Sequence, residues 1–190
     1  MSRLAPSYPL ETERLLLRPV DPAADAEAML SYRALPEVCR YIPPVPATLE
    51  SITTMLADPD RTRSTLDGEG QHLLLAVVRR DTGRLIGDVI LFWRSEEHRS
   101  GEIGYVLHPD QHGQGFATEA SRALLRLAFE ELDLHRVVAR IDERNPASAA
   151  VLRKVGMRQE AVLVENEWFK GEWTTEVDFA ILQREWRAQG

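Results

Sequence analysis

Glu102-Ile103-Gly104-Tyr105-Val106-Leu107-His108-Pro109-Asp110-Gln111-His112-Gly113-Gln114-Gly115-Phe116-Ala117-Thr118-Glu119-Ala120 is the stretch on which the reading of this sequence turns. It reads as a strand that runs into a tight loop, with Gly113 and Gly115 opening a helix. Glycines let a backbone approach a ligand closely, and the first turn of a helix points unpaired N–H groups at whatever lies there. Such a loop can hold a pyrophosphate with backbone dipoles alone. Two rival phosphate loops are excluded. A P-loop needs Gly-Lys-Ser/Thr, and no lysine follows Gly115. A dinucleotide fingerprint needs Gly or Ala three positions after the second glycine, where this chain has Thr118. Glycines that only shape a turn remain the competing explanation.

Outward from this loop the elements fall into order. Before it, Leu73–Val78, Leu85–Trp93 and Glu102–Leu107 read as strands, the first two joined by an Asp81-Thr82-Gly83 turn. After it, Thr118 to about Asp133 reads as a helix, with Leu124, Leu127, Ala128 and Leu132 at helical spacing. Arg136–Ile141 is a strand, Asn145–Val155 a helix, and Met157–Trp186 two strands around Lys170-Gly171-Glu172. Upstream, Leu15-Leu16-Leu17 is a first strand, and Asp21 with Pro22 opens a helix running to about Ala34. Pro36 to Pro46, containing Tyr41-Ile42-Pro43-Pro44, is a proline-rich loop. Thr48 caps a second helix ending near Asp58-Pro59, and the polar stretch Asp60–Gly70 is expected to be mobile. The order is β-α-α-β-β-β-α-β-α-β-β: an α/β fold with a mixed central sheet of about seven strands flanked by about four helices. Residues 1–190 are expected to form a single domain.

A second stretch, Asn145-Pro146-Ala147-Ser148-Ala149-Ala150-Val151-Leu152-Arg153-Lys154-Val155-Gly156-Met157, is ambiguous alone. Asn145 suits an N-cap, Pro146 the first helical position and Gly156 the C-terminal cap. A plain helix explains all three. Its pairing with the glycine loop across one short strand is what gives it weight.

The 190 residues carry a net charge of −7, from 23 Lys+Arg against 30 Asp+Glu. An acidic balance argues against a nucleic-acid partner and mildly favours a cationic substrate. It also means that a phosphate-rich cofactor must be held by local features. With 44% hydrophobic and 28% charged residues the composition is that of an ordinary globular protein. No run of about 18 apolar residues spans a bilayer, and the opening MSRLAPSYPLETERLLLRP is too interrupted for a secretory signal. The single cysteine, Cys39, fits a reducing cytoplasm and is read as a small buried filler. His72, His98, His108, His112 and His135 show no metal spacing, so no metal is expected.

Together the two stretches resemble the GNAT superfamily of acyl-CoA-dependent N-acetyltransferases, in its ribosomal-protein N-terminal acetyltransferase branch, the RimJ/RimL type. Gly113-Gln114-Gly115-Phe116-Ala117-Thr118-Glu119-Ala120 resembles that branch's acetyl-CoA pyrophosphate loop, and Asn145 through Met157 its second cofactor segment. Leu10-Glu11-Thr12-Glu13-Arg14-Leu15-Leu16-Leu17-Arg18 looks like its opening strand and Phe179 to Trp186 like its closing one, so the likeness spans nearly the whole chain. The resemblance implies acetyl-CoA as cosubstrate, contacted by Val106, Leu107, Gln111, His112, Gly113, Gln114, Gly115, Phe116, Ala117, Thr118, Asn145 and Ser148. Two positions depart from the pattern. His112 stands where the superfamily signature opens with Gln or Arg, which leaves a phosphate contact from that side chain open. Leu152 stands where many members carry a tyrosine that protonates the leaving thiolate.

Acetylation of an amine needs a group to take its proton, since alkylamines are mostly protonated near pH 7. The resemblance makes Glu102, on the strand that lines the acetyl group, and Glu167, in the cleft segment Val164–Trp168, candidate bases. Ser148 lies one turn before Leu152 on the same helix face and is a candidate hydrogen-bond donor to the thiolate. Each has a plain alternative: a solvated carboxylate, or a serine bonded to its own backbone. Arg122, Arg153 and Lys154 are candidates for the 3′-phosphate and are equally well explained as solvated charges.

The implied activity is transfer of an acetyl group from acetyl-CoA to a primary amine on a protein N-terminus or a small molecule, by direct attack in a ternary complex. A catalytically silent acyl-CoA sensor or assembly module is the alternative, motivated by Leu152. No nucleic-acid or membrane partner is expected, a homodimer through exposed strand edges is open, and the acceptor amine is not named by the sequence.

Overall fold

Leu73 to Val78 is buried at six successive positions, and the two-residue period of a strand sorts them into two cores. Leu73, Leu75 and Val77 face one cluster with Phe116, Leu124 and Leu152. Leu74, Ala76 and Val78 face another with Met29, Tyr32, Ile52 and Leu56. A sheet buried on both faces with helices outside each is the three-layer α/β solution. The computed structural model describes residues 4–42 and 46–189.

Among the described residues eight strands form one sheet in the order β1-β2-β3-β4-β5-β6-β8-β7. They are β1 Leu10–Glu11, β2 Leu15–Pro19, β3 His72–Arg79, β4 Leu85–Ser95, β5 Ser100–Leu107, β6 Arg136–Asp142, β7 Arg158–Phe169 and β8 Glu172–Leu182. Six α-helices accompany them among the described residues: α1 Ala26–Arg33, α2 Pro36–Cys39, α3 Leu49–Leu56, α4 Phe116–Arg126, α5 Pro146–Lys154 and α6 Gln183–Arg187. Helices α4 and α5 contribute to the first core, α1 and α3 to the second. Every neighbouring pair is antiparallel except β5 and β6. That parallel ladder registers only Ser100–Arg136, Gly101–Val137 and Glu102–Val138. Beyond Glu102 the two strands separate, and the sheet opens between Ile103–Leu107 and Ala139–Asp142.

The structure has one strand and two helices more than the sequence predicts, all of them short. Helix α1 begins at Ala26 rather than Asp21, because the Asp21 carboxylate accepts the amides of Ala23 and Ala24 (2.9 and 3.2 Å) and forms a separate turn. The predicted loop from Pro36 contains α2, with Pro36 in its first turn; Pro43 and Pro44 lie outside the described residues. The stretch expected to be mobile is tied in by fully buried Leu66, whose amide and carbonyl pair with those of Leu4. The predicted closing strand to Trp186 ends at Leu182, where α6 begins.

Helix α4 starts at Phe116, two residues earlier than expected, and continues as a π-helical turn over Leu127–Glu131. The carbonyl of Phe129, within that turn, accepts the Gln183 amide at 2.9 Å. Thr48 caps α3 and Asn145 caps α5, as their side chains suggested. Lys170 and Gly171 both take positive φ (50° and 89°) and close the β7–β8 hairpin in two residues.

Candidate functional site

Strand β5 ends at Leu107, and Pro109–Gln111 forms a single 3₁₀ turn before the glycine loop. Gly113 and Gly115 adopt φ of 74° and 84°, left-handed values that L side chains resist. Space is not the constraint: a Cβ on Gly113 would meet nothing within 4 Å, and one on Gly115 would meet the Arg14 guanidinium at 3.4 Å. Gly115 caps α4, and the first loop-to-helix backbone bond runs from Glu119 N–H to the Gly115 carbonyl (3.0 Å). The amides of Phe116, Ala117 and Thr118 precede it, so they stand at the helix start in the position of unpaired donors.

The side chains in this loop largely look inward. Gln111, Phe116 and Thr118 are buried, and Gln111 is bonded to Arg79 (3.2 Å) and Asp110 (2.9 Å). The His112 ring folds back on the Leu107 carbonyl at 3.1 Å. His112, Gly113, Gln114 and Gly115 are the exposed part, and with the His112 ring turned back the backbone of the last three is what they offer.

No lysine or arginine occurs between Leu107 and Ser121, yet the fold brings cations to the loop from far away. Arg14 donates to the Gln114 carbonyl at 2.9 Å and lies 4.5 Å over the Phe116 ring. It is held by Glu119, which also accepts from Thr12 (2.6 Å). Burial alone would raise the Glu119 pKa, but the hydrogen bonds from Thr12 and Arg14 outweigh it and hold the carboxyl below its ordinary range. Beside the loop runs an open groove of about 580 Å³, lined by Arg14, Gly115, Thr118, Arg122, Arg126 and Lys154 among others. Arg122 donates to the Lys154 carbonyl (2.8 Å) and links α4 to α5 there.

At the start of α5 the Asn145 side chain accepts the Ser148 amide at 3.0 Å. The Ser148 carbonyl accepts the hydroxyl of Tyr105 at 3.1 Å, so a β5 side chain reaches across to α5. Sequence reasoning missed Tyr105. The alternation along β5 was the available signal, since Ile103, Tyr105 and Leu107 all pack on the α4–α5 side. Leu152 is fully buried in that core and faces no ligand space.

Carboxylates gather on the opposite face. Glu102 is held by Arg94 (3.0 Å) and more loosely by Arg140 (3.6 Å). Strand β8 places Thr174, Glu176 and Asp178 on one face, and Glu167 of β7 stands opposite Thr174. Asp178 meets Arg140 at 3.7 Å, and Asn166 donates to Glu176 at 3.2 Å. Burial raises the Glu176 pKa, and the negative charges of Asp178, Glu167 and Glu102 raise it further against the opposing Arg140. The structure thus brings Glu102 and Glu167 into one acidic field and adds Glu176 and Asp178 to it. It does not bring Ser148 there; Ser148 belongs to the α4–α5 side.

The β7–β8 hairpin closes this face at one end. Its tip reaches α2, where Lys170 donates to the Cys39 carbonyl, and Trp168 and Trp173 pack edge to face across the strands, 5.4 Å apart and more than half exposed. Cys39 itself is buried, its thiol on the Arg33 carbonyl. Among the described residues no group of three or more His, Cys, Asp or Glu side chains is placed to hold a metal ion.

The acidic face and the amide loop lie on opposite sides of the sheet and meet at the opening between β5 and β6. Comparison with known proteins gives this arrangement a family. Residues 14–158 match the model of the acetyltransferase (GNAT) domain. YnaD of Bacillus subtilis, named an uncharacterized N-acetyltransferase, is 32% identical over 93% of this chain and 98% of its own. The crystal structure of a GNAT-family acetyltransferase from Bacillus anthracis superposes with a TM-score of 0.81 at 30% identity, covering 92% of this chain and 98% of that one. A spermidine N(1)-acetyltransferase of Vibrio cholerae is 30% identical over 56% of this chain and 62% of its own.

Proposed function

The chain belongs to the GNAT acetyltransferase family, using acetyl-CoA as its acyl donor, and we propose that it delivers the acetyl group to a primary amine drawn in by the acidic face of the sheet. The observation that carries the choice of acceptor is the convergence of Glu102, Glu167, Glu176 and Asp178 at the opening between β5 and β6. Such a field raises the local concentration of ammonium groups and disfavours anionic acceptors. The spermidine acetyltransferase among the relatives accepts a cation of this kind. Protein N-termini, the acceptors of the RimJ/RimL branch that the sequence motifs resemble, present the same charge.

Acetyl-CoA fits the other face. The amides of Gln111 and His112 are bonded to the carbonyls of His108 and Pro109, and left-handed Gly113 and Gly115 turn the backbone so that the amides from Gly113 to Thr118 are the ones to hold a pyrophosphate, with Arg14 beside them. Val106 and Leu107 line the opening, and Asn145 and Ser148 form the α5 wall. Arg122 and Lys154 lie along the groove beside the loop, whose lining also includes Glu11, Glu13 and Glu119. The thioester then meets the amine in the opening. A carboxylate, Glu102 or Glu167, takes the ammonium proton directly or through water; the neutral nitrogen attacks the carbonyl carbon, the C–S bond breaks with its electron pair on sulphur, and the second nitrogen proton passes through water to the thiolate. On this reading residues 1–190 act as one catalytic domain in the cytoplasm, without nucleic-acid or membrane partners.

The test is a panel. With acetyl-CoA and N-terminal peptides, polyamines, aminoglycosides or amino acids, at least one amine class should release free thiol. Failure on every class, with CoA demonstrably bound, would overturn the reading.

A further inference from the structure

Expelling a thiolate from a thioester puts negative charge on sulphur, and the carboxylates of the acidic face can only accept hydrogen bonds, never donate one to it. The guanidiniums on that face, Arg94 and Arg140, are taken up by Glu102 and Asp178, which leaves the α4–α5 side of the opening, the side from which acetyl-CoA enters in the proposed function on which this inference rests. Leu152 is apolar and fully buried. The Ser148 backbone is engaged, its amide with Asn145 and its carbonyl with Tyr105, and its hydroxyl is the rival donor.

We propose that the Tyr105 hydroxyl is the group that hydrogen-bonds the departing CoA sulphur, giving up the Ser148 carbonyl to do so. The placement follows from the register. β5 parts from β6 after the Glu102–Val138 pair, so Tyr105 stands three residues into the opening. On its other side β5 remains fully laddered to β4, with Tyr105 opposite Val89, and β6 remains laddered to β8 along its whole length. The opening between β5 and β6 is therefore the passage through this part of the sheet, and the Tyr105 hydroxyl spans it on the α5 side at 3.1 Å from the Ser148 carbonyl. That carbonyl lies within α5 and keeps its place in the helical ladder when the hydroxyl leaves. Burial pushes the Tyr105 hydroxyl up to about 12, so it carries its proton throughout the working range and donates without ionising. The step balances without it as an acid: the carboxylate has taken the ammonium proton, the carbonyl carbon gains the nitrogen, sulphur leaves with the C–S electron pair, the second nitrogen proton reaches the sulphur through water, and Tyr105 contributes a hydrogen bond.

The test needs no acceptor amine. CoA itself is bound to the parent protein, to Tyr105→Phe and to Ser148→Ala, and its thiol is titrated by thiolate ultraviolet absorbance, with the matching desulfo-CoA complex subtracted to remove tyrosine ionisation. A hydrogen bond to a charged acceptor is expected to hold the bound thiol's pKa about one to two units lower in the parent than in Tyr105→Phe. The CoA Kd at neutral pH should stay within about twofold, since the neutral thiol gains little from the donor. Ser148→Ala keeps the backbone carbonyl and should titrate like the parent. Equal thiol pKa values in the parent and Tyr105→Phe would overturn the proposal, as would a shift produced by Ser148→Ala instead. If the parent binds no CoA, it is the acetyl-CoA reading of the site that fails, and Tyr105 with it.

Discussion

Arg14 and Glu119 stand 105 positions apart in the chain and meet in three contacts: the Arg14 amide at 2.8 Å, its Nε at 2.7 Å and its Nη2 at 2.7 Å from the carboxylate. The pair fixes β2 to the first turn of α4, and the same guanidinium then reaches the Gln114 carbonyl. A half-exposed arginine in a simple surface pair would contribute little. Here the carboxylate is mostly covered, and an amide in its place turns an NH2 group toward the Arg14 Nε and Nη2, leaving both donors without an acceptor. Glu119→Gln should therefore cost about 1–3 kcal/mol of stability and loosen the loop, weakening CoA binding several-fold. Because the Glu119 pKa is held below its unfolded value, its contribution is complete above the ordinary glutamate range and is lost as pH falls through the depressed folded value. Thermal melts of parent and variant should therefore converge at strongly acidic pH, and a gap that persists there would refute the assignment.

Gly115→Val separates binding from folding. The substitution forces a β-branched residue into φ of 84°, at a cost of order 1–3 kcal/mol if the loop keeps its shape. The loop is solvent-facing, so the chain can relax and escape much of that strain, but only by moving the amides. Calorimetry should show CoA affinity down by more than tenfold while the protein stays folded. Gln114→Ala removes a side chain bonded only to the Asp110 carbonyl (3.0 Å) and keeps the amide, so its affinity should stay within about threefold. A Gly115→Val protein that is folded and binds CoA like the parent would remove this loop as the pyrophosphate site.

The outline of the fold was legible because its signals are local. Apolar runs of strand length joined by the Asp81-Thr82-Gly83 turn marked β3 and β4, Thr48 and Asn145 marked helix starts, and paired glycines marked the loop before α4. What escaped is what depends on residues remote in sequence. The parting of β5 and β6 is a matter of register, which no local pattern encodes. Arg14 beside the loop and Tyr105 beside Ser148 arise from contacts spanning 100 and 43 positions. Glu176 and Asp178 were missed for a related reason: thirty acidic residues look alike until the pleat of β8 sorts them onto the face that Glu102 shares.

Asp88 offers a stability prediction of a different kind. It is 3% exposed on β4 and accepts from the Tyr32 hydroxyl at 2.6 Å and from Arg33 at 3.0 and 2.6 Å. The cluster bolts α1 to the sheet. Burial works against the Arg33 charge, but Asp88 alongside more than offsets it and raises the Arg33 pKa. Asp88→Ala strands that guanidinium and should cost about 3–5 kcal/mol, read as a lowered denaturant midpoint. Removing the charged partners together with Asp88, as Arg33→Met with Asp88→Leu, should recover much of the loss. A single variant that melts like the parent would show the pair to be ornamental.

Glu176 should behave in the opposite way, because its charge is a burden on the fold. Burial and the carboxylates of Asp178, Glu167 and Glu102 raise its pKa. A raised folded pKa means the folded chain holds this proton more tightly than the unfolded chain. The associated stability is present at low pH and disappears as pH rises through the folded value. At neutral pH the ionised side chain therefore destabilises the protein, and Glu176→Gln should raise the melting temperature there by about 1–2 °C, allowing for solvent screening of a part-buried group. At a pH below the ordinary glutamate range the gain should vanish, since both proteins are then neutral at that position. Function should move the other way: with the field at the opening weakened, KM for a cationic acceptor such as a polyamine should rise several-fold while the CoA Kd is unchanged. Glu102→Gln with Glu167→Gln should instead lower kcat, by a factor of order 10²–10⁴ if one of them takes the amine proton. The contrast is the check. If Glu176→Gln melts lower than the parent at neutral pH, the acidic face is a stabilising network and not a field held ready for an amine.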